Sequence, residues 1–437
     1  MRDRVFELIE KEKKRQRSQI HLIPSENFVS ENVLKALGSC LTNKYAEGYA
    51  GRRYYQGNKI IDEIESLCIE RAKELFGVEH VNVQPLSGAP ANLAILMALT
   101  KNGDCQLSQL LSHGGHLSMG QEVSVTRRLC KAIHYHLTED GEVNWQELED
   151  LAKKYKPKII WSGGTAYTKI FDWKKYTEIA NEIGAYFVAD ISHIGGLVAG
   201  GAHPSPVVFA DVIMTTTHKT LRGPRGAMIM VTKKGLEKDI ELAKKIDKAV
   251  FPGVQGGPHM ETVTALAVAL GEAKKDSFKD YSKEVVVNAK RMAEELRKRD
   301  YKLIGGGSEN HMVWIDLRNK SVDGWMAAWG LEFGGIITNR QTIPFDPKSP
   351  YYPSGLRVGT PAVTSLGMKE EDMKKIVMWI DRVVEKVKSD ERWKKIGQVE
   401  RDEDQRLRRK FKELMKDDEV LVGVRKEVEG FLKKFVV

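Results

Sequence analysis

At 437 residues, 41% of them hydrophobic and 30% charged, the chain has the make-up of a globular protein about three times the common domain size, which excludes disorder and points to two domains or one large α/β body. Lys and Arg outnumber Asp and Glu by 69 to 60, and the resulting +9 suits a polyanionic partner, an anionic cofactor or a Lys-rich surface, of which the surface is the default. No apolar run reaches the roughly 18 residues of a membrane helix, and Cys40, Cys68, Cys105 and Cys130 form neither a zinc pattern nor a disulfide framework, so a reduced, cytoplasmic protein is expected.

The first 17 or so residues read as an amphipathic helix, with Val5, Phe6, Leu8 and Ile9 set among charges rather than in the apolar block of a secretory leader. Pro24 then forbids an unbroken helix. From about residue 60 to 300, helical periods alternate with β-rich runs at 81–83, 158–161, 186–190, 212–217 and 227–231. Runs that are apolar on both faces and separated by helices such as 173–183 predict a mostly parallel sheet in a three-layer α/β domain. A charged helical connector over 274–299, a β-rich stretch over 312–317, a Gly/Pro-rich loop over 344–359 and closing helices predict a smaller C-terminal α+β domain. The expected divisions are an N-terminal helical arm over 1–44, a large domain over 45–275 and a small domain over 276–437. Beyond about residue 400 the tail is strongly charged, and Val424, Val428, Phe431, Leu432 and Phe435 recur at helical spacing. They predict a terminal helix packed on the body or on a partner subunit, with a membrane-surface role as the sharper alternative.

Ser87-Gly88-Ala89-Pro90-Ala91-Asn92 follows a β run and opens an apolar helix, so its backbone N–H groups and the helix dipole suit a phosphate. A plain strand–turn–helix joint would use the same residues. Asp190 ends a β run, where a turn or cap is the ordinary reading. The run 215–220 enters a polar corner holding His218 and Lys219, followed by Gly223-Pro224-Arg225-Gly226. Neighbouring cations and desolvation there favour a nucleophilic amine, against the ordinary reading of a solvated lysine. The order of the three motifs decides between these readings. A phosphate turn, an Asp at a strand tip and a Ser/Thr-His-Lys corner is the plan of pyridoxal phosphate enzymes that form a Schiff base, the carboxylate keeping the ring nitrogen protonated. His113-Gly114-Gly115-His116 is not expected to hold a metal, because two glycines disfavour the helix that would set both imidazoles on one face.

The resemblance becomes specific when further segments are added: 22–27 (Leu-Ile-Pro-Ser-Glu-Asn), 43–49, 52–55 (Arg-Arg-Tyr-Tyr), 113–117, 190–197, 215–226, 251–258 and 354–361. In that order they make the chain similar to the serine hydroxymethyltransferase family, fold type I pyridoxal phosphate enzymes that exchange a hydroxymethyl group between serine and a reduced pterin. The resemblance implies catalysis through an aldimine on Lys219 and a quinonoid intermediate, with Asp190 on the pyridinium nitrogen, His193 on the phenolic oxygen and His116 stacked on the ring. Ser87, Gly88, Ala89, Thr165, Thr216 and Arg225 would complete the cofactor site, and Tyr45 and Gly257 would reach the phosphate from a neighbouring subunit of a homodimer. Arg357, Ser25 and the partner-derived Tyr55 would take the carboxylate of L-serine or glycine. Glu47 is implied as proton carrier and His218 as a further catalytic group. Glu47, Tyr54, Leu111, Gly115 and Leu117 would contact the pterin. A glycine-dependent aldolase acting on threonine is the rival within the fold, and a basic nucleic-acid-binding protein the rival outside it, although no such motif supports the latter.

The chain departs from the family pattern in places. Ala89 and Pro90 replace a Ser-Gln pair in the phosphate turn, and Thr165 stands where serine is common. Met119 and Phe345 stand where a His and a pterin-contacting Asn are usual. This implies an altered carrier site, with tetrahydromethanopterin rather than tetrahydrofolate as carrier and an archaeal source.

Overall fold

Short runs of Val, Ile and Met, apolar at nearly every position, build the centre of a seven-stranded sheet in a computed structural model that describes residues 3–435. Its strands are β1 (His80–Asn82), β2 (Cys105–Gln109), β3 (Lys131–Tyr135), β4 (Ile159–Ser162), β5 (Tyr186–Asp190), β6 (Val212–Thr216) and β7 (Ala227–Val231). They lie in the order β1-β7-β6-β5-β4-β2-β3, with β7 antiparallel to both neighbours and the others parallel. Every residue of β4 to β7 is buried, because helices cover both faces. Tyr186 and Val188 pack with Ala91, Ile95 and Leu96 of helix α1 (Gly88–Leu99). Phe187, on the opposite face, stacks on Tyr176 of the helix Trp173–Glu182 with ring centroids 5.5 Å apart. The expected three-layer α/β architecture is therefore present, and each such buried side chain contributes roughly 1.5–3 kcal/mol.

Strands β2 and β3 lie outside the runs that the sequence singles out. The polar side chains that hide β2 are buried and bonded inside the sheet through one amide atom or hydroxyl each: Gln106 Oε1 accepts from Trp161 Nε1 at 2.9 Å, Ser108 Oγ donates to Met119 O at 2.7 Å, and Gln109 Nε2 donates to His113 O at 2.6 Å.

The chain forms two compact units, one over Asn27–Lys283 and one joining the residues up to Glu26 with those from Glu284 onward. The residues expected as an arm over 1–44 thus divide at Glu26. The second division falls inside helix α2 (Asp276–Arg297), eight residues past the expected boundary. The second unit carries a four-stranded antiparallel sheet of β8 (Lys302–Ile304), β9 (Met312–Asp316), β10 (Asn339–Gln341) and β11 (Gly355–Gly359), in the order β8-β9-β11-β10. The Gly/Pro-rich stretch expected as a loop over 344–359 therefore ends in a central strand. Its glycines serve close approach: a Cβ on Gly355 would come within 2.6 Å of Gln341 O, and one on Gly359 within 2.8 Å of Pro24. Ile20–His21 pairs in parallel with Ile336–Ile337. Helices α3 (Gly324–Phe333), α4 (Glu370–Ser389), α5 (Arg401–Met415) and α6 (Glu419–Leu432) complete this unit. Val424, Val428, Phe431 and Leu432 of α6 join its core, so the terminal helix packs on the body. Among the described residues no helix is long and apolar enough to cross a membrane.

Candidate active site

The buried Asp190 carboxylate at the tip of β5 is fixed from two sides. Oδ1 accepts from the Ser192 backbone N–H at 2.9 Å and Oδ2 from Asn92 Nδ2 at 3.1 Å. Asn92 sits in the second turn of α1 and also donates to Ser118 Oγ at 2.9 Å, and that hydroxyl lies 2.7 Å from His116 Nδ1. The Ser118 backbone N–H points at the same nitrogen at 3.3 Å, and since an N–H can only donate, Nδ1 is the acceptor and the ring proton sits on Nε2. One chain of hydrogen bonds thus joins Asp190 to His116. At the start of α1 the Ser87 backbone is extended and its side chain makes no cap, so the first-turn N–H groups of Gly88 and Ala89 face outward from the helix end. A Cβ on Gly88 would come within 2.7 Å of Thr216 Cγ2, which is why a glycine brings this turn against the tip of β6.

Lys219 follows β6 in a corner tied at several points. Thr217 N donates to Gly226 O at 3.1 Å, Gly223 N to Thr217 O at 2.7 Å, and Thr217 Oγ1 to Pro224 O at 2.5 Å. Thr220 Oγ1 donates to His193 O at 3.0 Å and accepts from Gly196 N at 2.9 Å, so the Lys219 turn and the His193 turn are clamped together. Asn27 Nδ2 donates to the Lys219 carbonyl at 2.9 Å. Lys219 and His193 are buried, whereas Arg225 is exposed. Burial, then the charges of Lys219 and Arg225, push His218 down to about 3, and its Nδ1 is buried without a hydrogen-bond partner. His218 is therefore neutral at physiological pH.

The two histidines of the 113–116 loop have separate fates. His113 is buried against His136, accepts the Leu137 N–H on Nδ1 at 3.1 Å, and is held down to about 4 by burial. His116 stays half-buried in the Asp190 network. Thr165 holds this loop, donating from Oγ1 to Gly115 O at 2.5 Å and from N to Gly114 O at 2.7 Å. Gly115 is packed so closely that a Cβ would lie 2.2 Å from Gln109 O; Leu111 is half-buried and Leu117 exposed.

A second cluster gathers Tyr45, Glu47, Tyr55 and the 255–257 segment. The Tyr45 and Tyr55 rings meet edge to face at 5.2 Å, a Cβ on Gly257 would touch the Tyr45 ring at 3.4 Å, and one on Gly256 would lie 3.1 Å from Glu47 Oε1. Arg53 pins the loop, donating to Ala46 O at 2.9 Å and Gly48 O at 2.8 Å while pairing with Asp62 and the buried Glu65. Tyr45, Tyr54 and Tyr55 are nevertheless 58%, 70% and 46% exposed. In the other unit, Arg357 lies on central β11, donating from Nε to Asn339 Oδ1 at 3.2 Å. Burial lowers its guanidinium to about 10. Gly359 N donates to Leu22 O at 2.7 Å, which fixes the Pro24-Ser25 segment at the end of the same strand.

Compared with known proteins, residues 1–380 match the family model described as serine hydroxymethyltransferase. A serine hydroxymethyltransferase of Acidothermus cellulolyticus is 52% identical over 389 residues, 89% of this chain and 90% of the relative. One of Desulfotalea psychrophila is 51% identical over 380 residues, 87% and 88% of the two chains. The chain belongs to the serine hydroxymethyltransferase family. Serine hydroxymethyltransferases are fold type I enzymes that use pyridoxal phosphate and a reduced folate-type carrier to move a hydroxymethyl group, and this chain is one of them. Both relatives are bacterial, so the expected archaeal source finds no support.

The residues fit the cofactor. A buried carboxylate fixed by two donors suits a protonated ring nitrogen, an uncapped helix start suits the phosphate, and His218 Nδ1, next in sequence to Lys219, is a buried polar atom that the chain itself leaves without a partner. The main correction concerns Met119. It is 1% exposed and packed in the core with Ala91, Ile95 and Trp161, which is not the accessible position that a carrier contact implies. Phe345 is half-exposed with φ 53°, a left-handed backbone in which asparagine is at home. Sequence reasoning gave no role to Asn92, Ser118 or Ser192, although Asn92 stands inside the phosphate motif.

Proposed function

We propose that this serine hydroxymethyltransferase works with Asp190, His193, His116 and Lys219 around the cofactor ring and Ser87, Gly88, Ala89, Thr165 and Thr216 around its phosphate. The observation that carries the reading is the Asp190 carboxylate, buried at a strand tip and held by Asn92 and Ser192. Pyridoxal phosphate, when bound, supplies an electron sink for the carbon that loses or gains the hydroxymethyl group. Lys219 would provide the amine that holds the cofactor. Arg357 takes the substrate carboxylate, its buried guanidinium gaining a counter-charge, and Ser25 supports it. Glu47 moves the proton of the serine hydroxyl, and the neutral His218 adds no charge beside Lys219.

Tyr45, Tyr55, Glu47 and Gly257 form an exposed, polar-aromatic cluster, which suits a surface covered by a second copy of the chain. We therefore assign them, with Tyr54, to the active site of a partner subunit in a homodimer, and Leu111, Gly115 and Leu117 to the pterin. The family's use of a folate-type carrier favours tetrahydrofolate over tetrahydromethanopterin. A cytoplasmic setting suits the unpaired cysteines.

Purified protein supplied with pyridoxal phosphate should absorb in the near-visible and cleave serine faster with tetrahydrofolate than with tetrahydromethanopterin at matched concentration. Lys219→Ala should abolish both the band and at least about 10³-fold of the activity. A wild-type chain that gains no band, or that prefers the methanopterin, overturns the respective part of the reading.

A further inference from the structure

A cleft of about 1110 Å³ lies wholly within the unit that contains the C-terminal helices. One wall is α5, which begins at Arg401 and so lies beyond residue 380, where the family match ends. The lining is strongly cationic: Arg340, Lys348, Arg401, Arg409 and Lys412 reach it, and among the described residues none of the five is in an ion pair. A sixth cation, Arg408, is 3% exposed and spends its charge on Asp323 at 2.8 Å and Asp404 at 2.7 Å, leaving its Nη1 buried without a hydrogen-bond partner. Asp404, the one carboxylate in the lining, is thereby neutralised. Aromatic rings are interleaved with these charges. Lys412 stands 3.6 Å over Trp329, Arg408 stands 3.7 Å over Tyr352, and Tyr351 is 60% exposed beside Arg340 at 4.5 Å.

Cations outside ion pairs and an exposed ring in one concave site recognise a ligand that is both anionic and planar. The volume lies just above the usual range of small-ligand pockets, too large for an amino acid and ample for a base, a sugar and several phosphates. We infer that this cleft binds a nucleoside polyphosphate, with phosphates on Arg401, Arg409 and Lys348 and the base against Tyr351. None of the lining residues is among those assigned to the serine chemistry above, and the inference does not depend on that assignment.

Calorimetric titration of the holoenzyme with ATP in magnesium-free, low-salt buffer tests this. The expected result is saturable binding of one ATP per chain, with adenosine and inorganic tripolyphosphate each at least tenfold weaker. The exposed pair R401E/R409E should weaken ATP at least tenfold while serine cleavage is unchanged, and Y351A should weaken ATP without altering tripolyphosphate binding. The inference is overturned by no saturable binding in the millimolar range, by equal affinity in R401E/R409E, or by tripolyphosphate binding as well as ATP. It is also overturned if a single-stranded oligonucleotide binds far more tightly than ATP, which would make the surface a nucleic-acid groove, or if the cleft proves to be covered by a second copy in solution.

Discussion

At the scale of single residues, the neutral amide of Asn92 decides more than its type advertises. It donates to both Asp190 and Ser118, so Asn92→Ala strands two buried acceptors at a cost of about 1–3 kcal/mol. We expect kcat to fall about tenfold, cofactor to wash out more readily and the near-visible band to shift, with partial rescue by Asn92→Gln; an unshifted band would show that the network does not orient the ring. Arg357→Lys replaces a planar fork with a point charge and should raise the KM for serine by about 10- to 100-fold with a smaller loss in kcat. His218 supplies a pH signature. Its folded pKa of about 3 lies below the ordinary 6.5, so the folded state binds fewer protons between those values. Stability from its neutrality is complete above about pH 6.5 and is lost as pH falls toward 3, with a slope of at most about 1.4 kcal/mol per pH unit. His113 adds to the loss with the same sign. The thermal midpoint of His218→Gln should therefore depend less steeply on pH between 6.5 and 4 than that of the parent. The charged residues assigned to the site are legible in the sequence by context rather than by type: Asp190 and Lys219 alone read as a turn residue and a solvated lysine until the order of motifs joins them, and Arg357 comes from the family resemblance. Asn92 and Ser118 are not legible, because neutral polar residues in a helix or loop give no signal until a partner comes within reach.

At the scale of elements, periodicity revealed the strands whose side chains are apolar and hid those that bury polar groups. β5 and β7 run over the residues that their composition marks, whereas β2 carries Gln106, Ser108 and Gln109 into the sheet and is not marked as a β-rich run. The same blindness affected β11, whose terminal glycines suggest a turn but are set by the backbones of Gln341 and Pro24. Close approach also makes a prediction at the phosphate turn. Gly88→Val would drive its side chain into Thr216 and separate the start of α1 from the tip of β6. Cofactor affinity, measured by dialysis and reconstitution, should drop at least about tenfold, a larger loss than the overall stability change. The Arg53 hub is comparable: one guanidinium holds the Glu47 loop through two carbonyls and two carboxylates, so Arg53→Ala leaves Glu65 buried and unpaired and should cost about 3–5 kcal/mol.

At the scale of the whole molecule, the assignment of Lys219 and Glu47 to opposite sides of a shared site is testable by mixing. Lys219→Ala and Glu47→Gln chains, each inactive alone, should regain about a quarter of parental activity when unfolded and refolded together, because half the dimers then hold one intact site of two; no recovery would place both residues in one chain's site. The net charge of +9 is also unevenly placed: five of the chain's 69 Lys and Arg gather without ion pairs around one cleft. The pairing of Ile20–His21 with Ile336–Ile337 has a consequence for vectorial synthesis. Both apolar residues Ile20 and Leu22 leave the ribosome at the start, yet their neighbours are made only when residue 337 has been added, roughly 15–60 s later at about 5–20 residues per second. The Asn27–Lys283 unit has its complete sequence long before that. A nascent chain arrested at residue 300 is therefore expected to hold a protease-resistant core beginning near Asn27, with the segment before it cut first, and release of the arrest should protect both together.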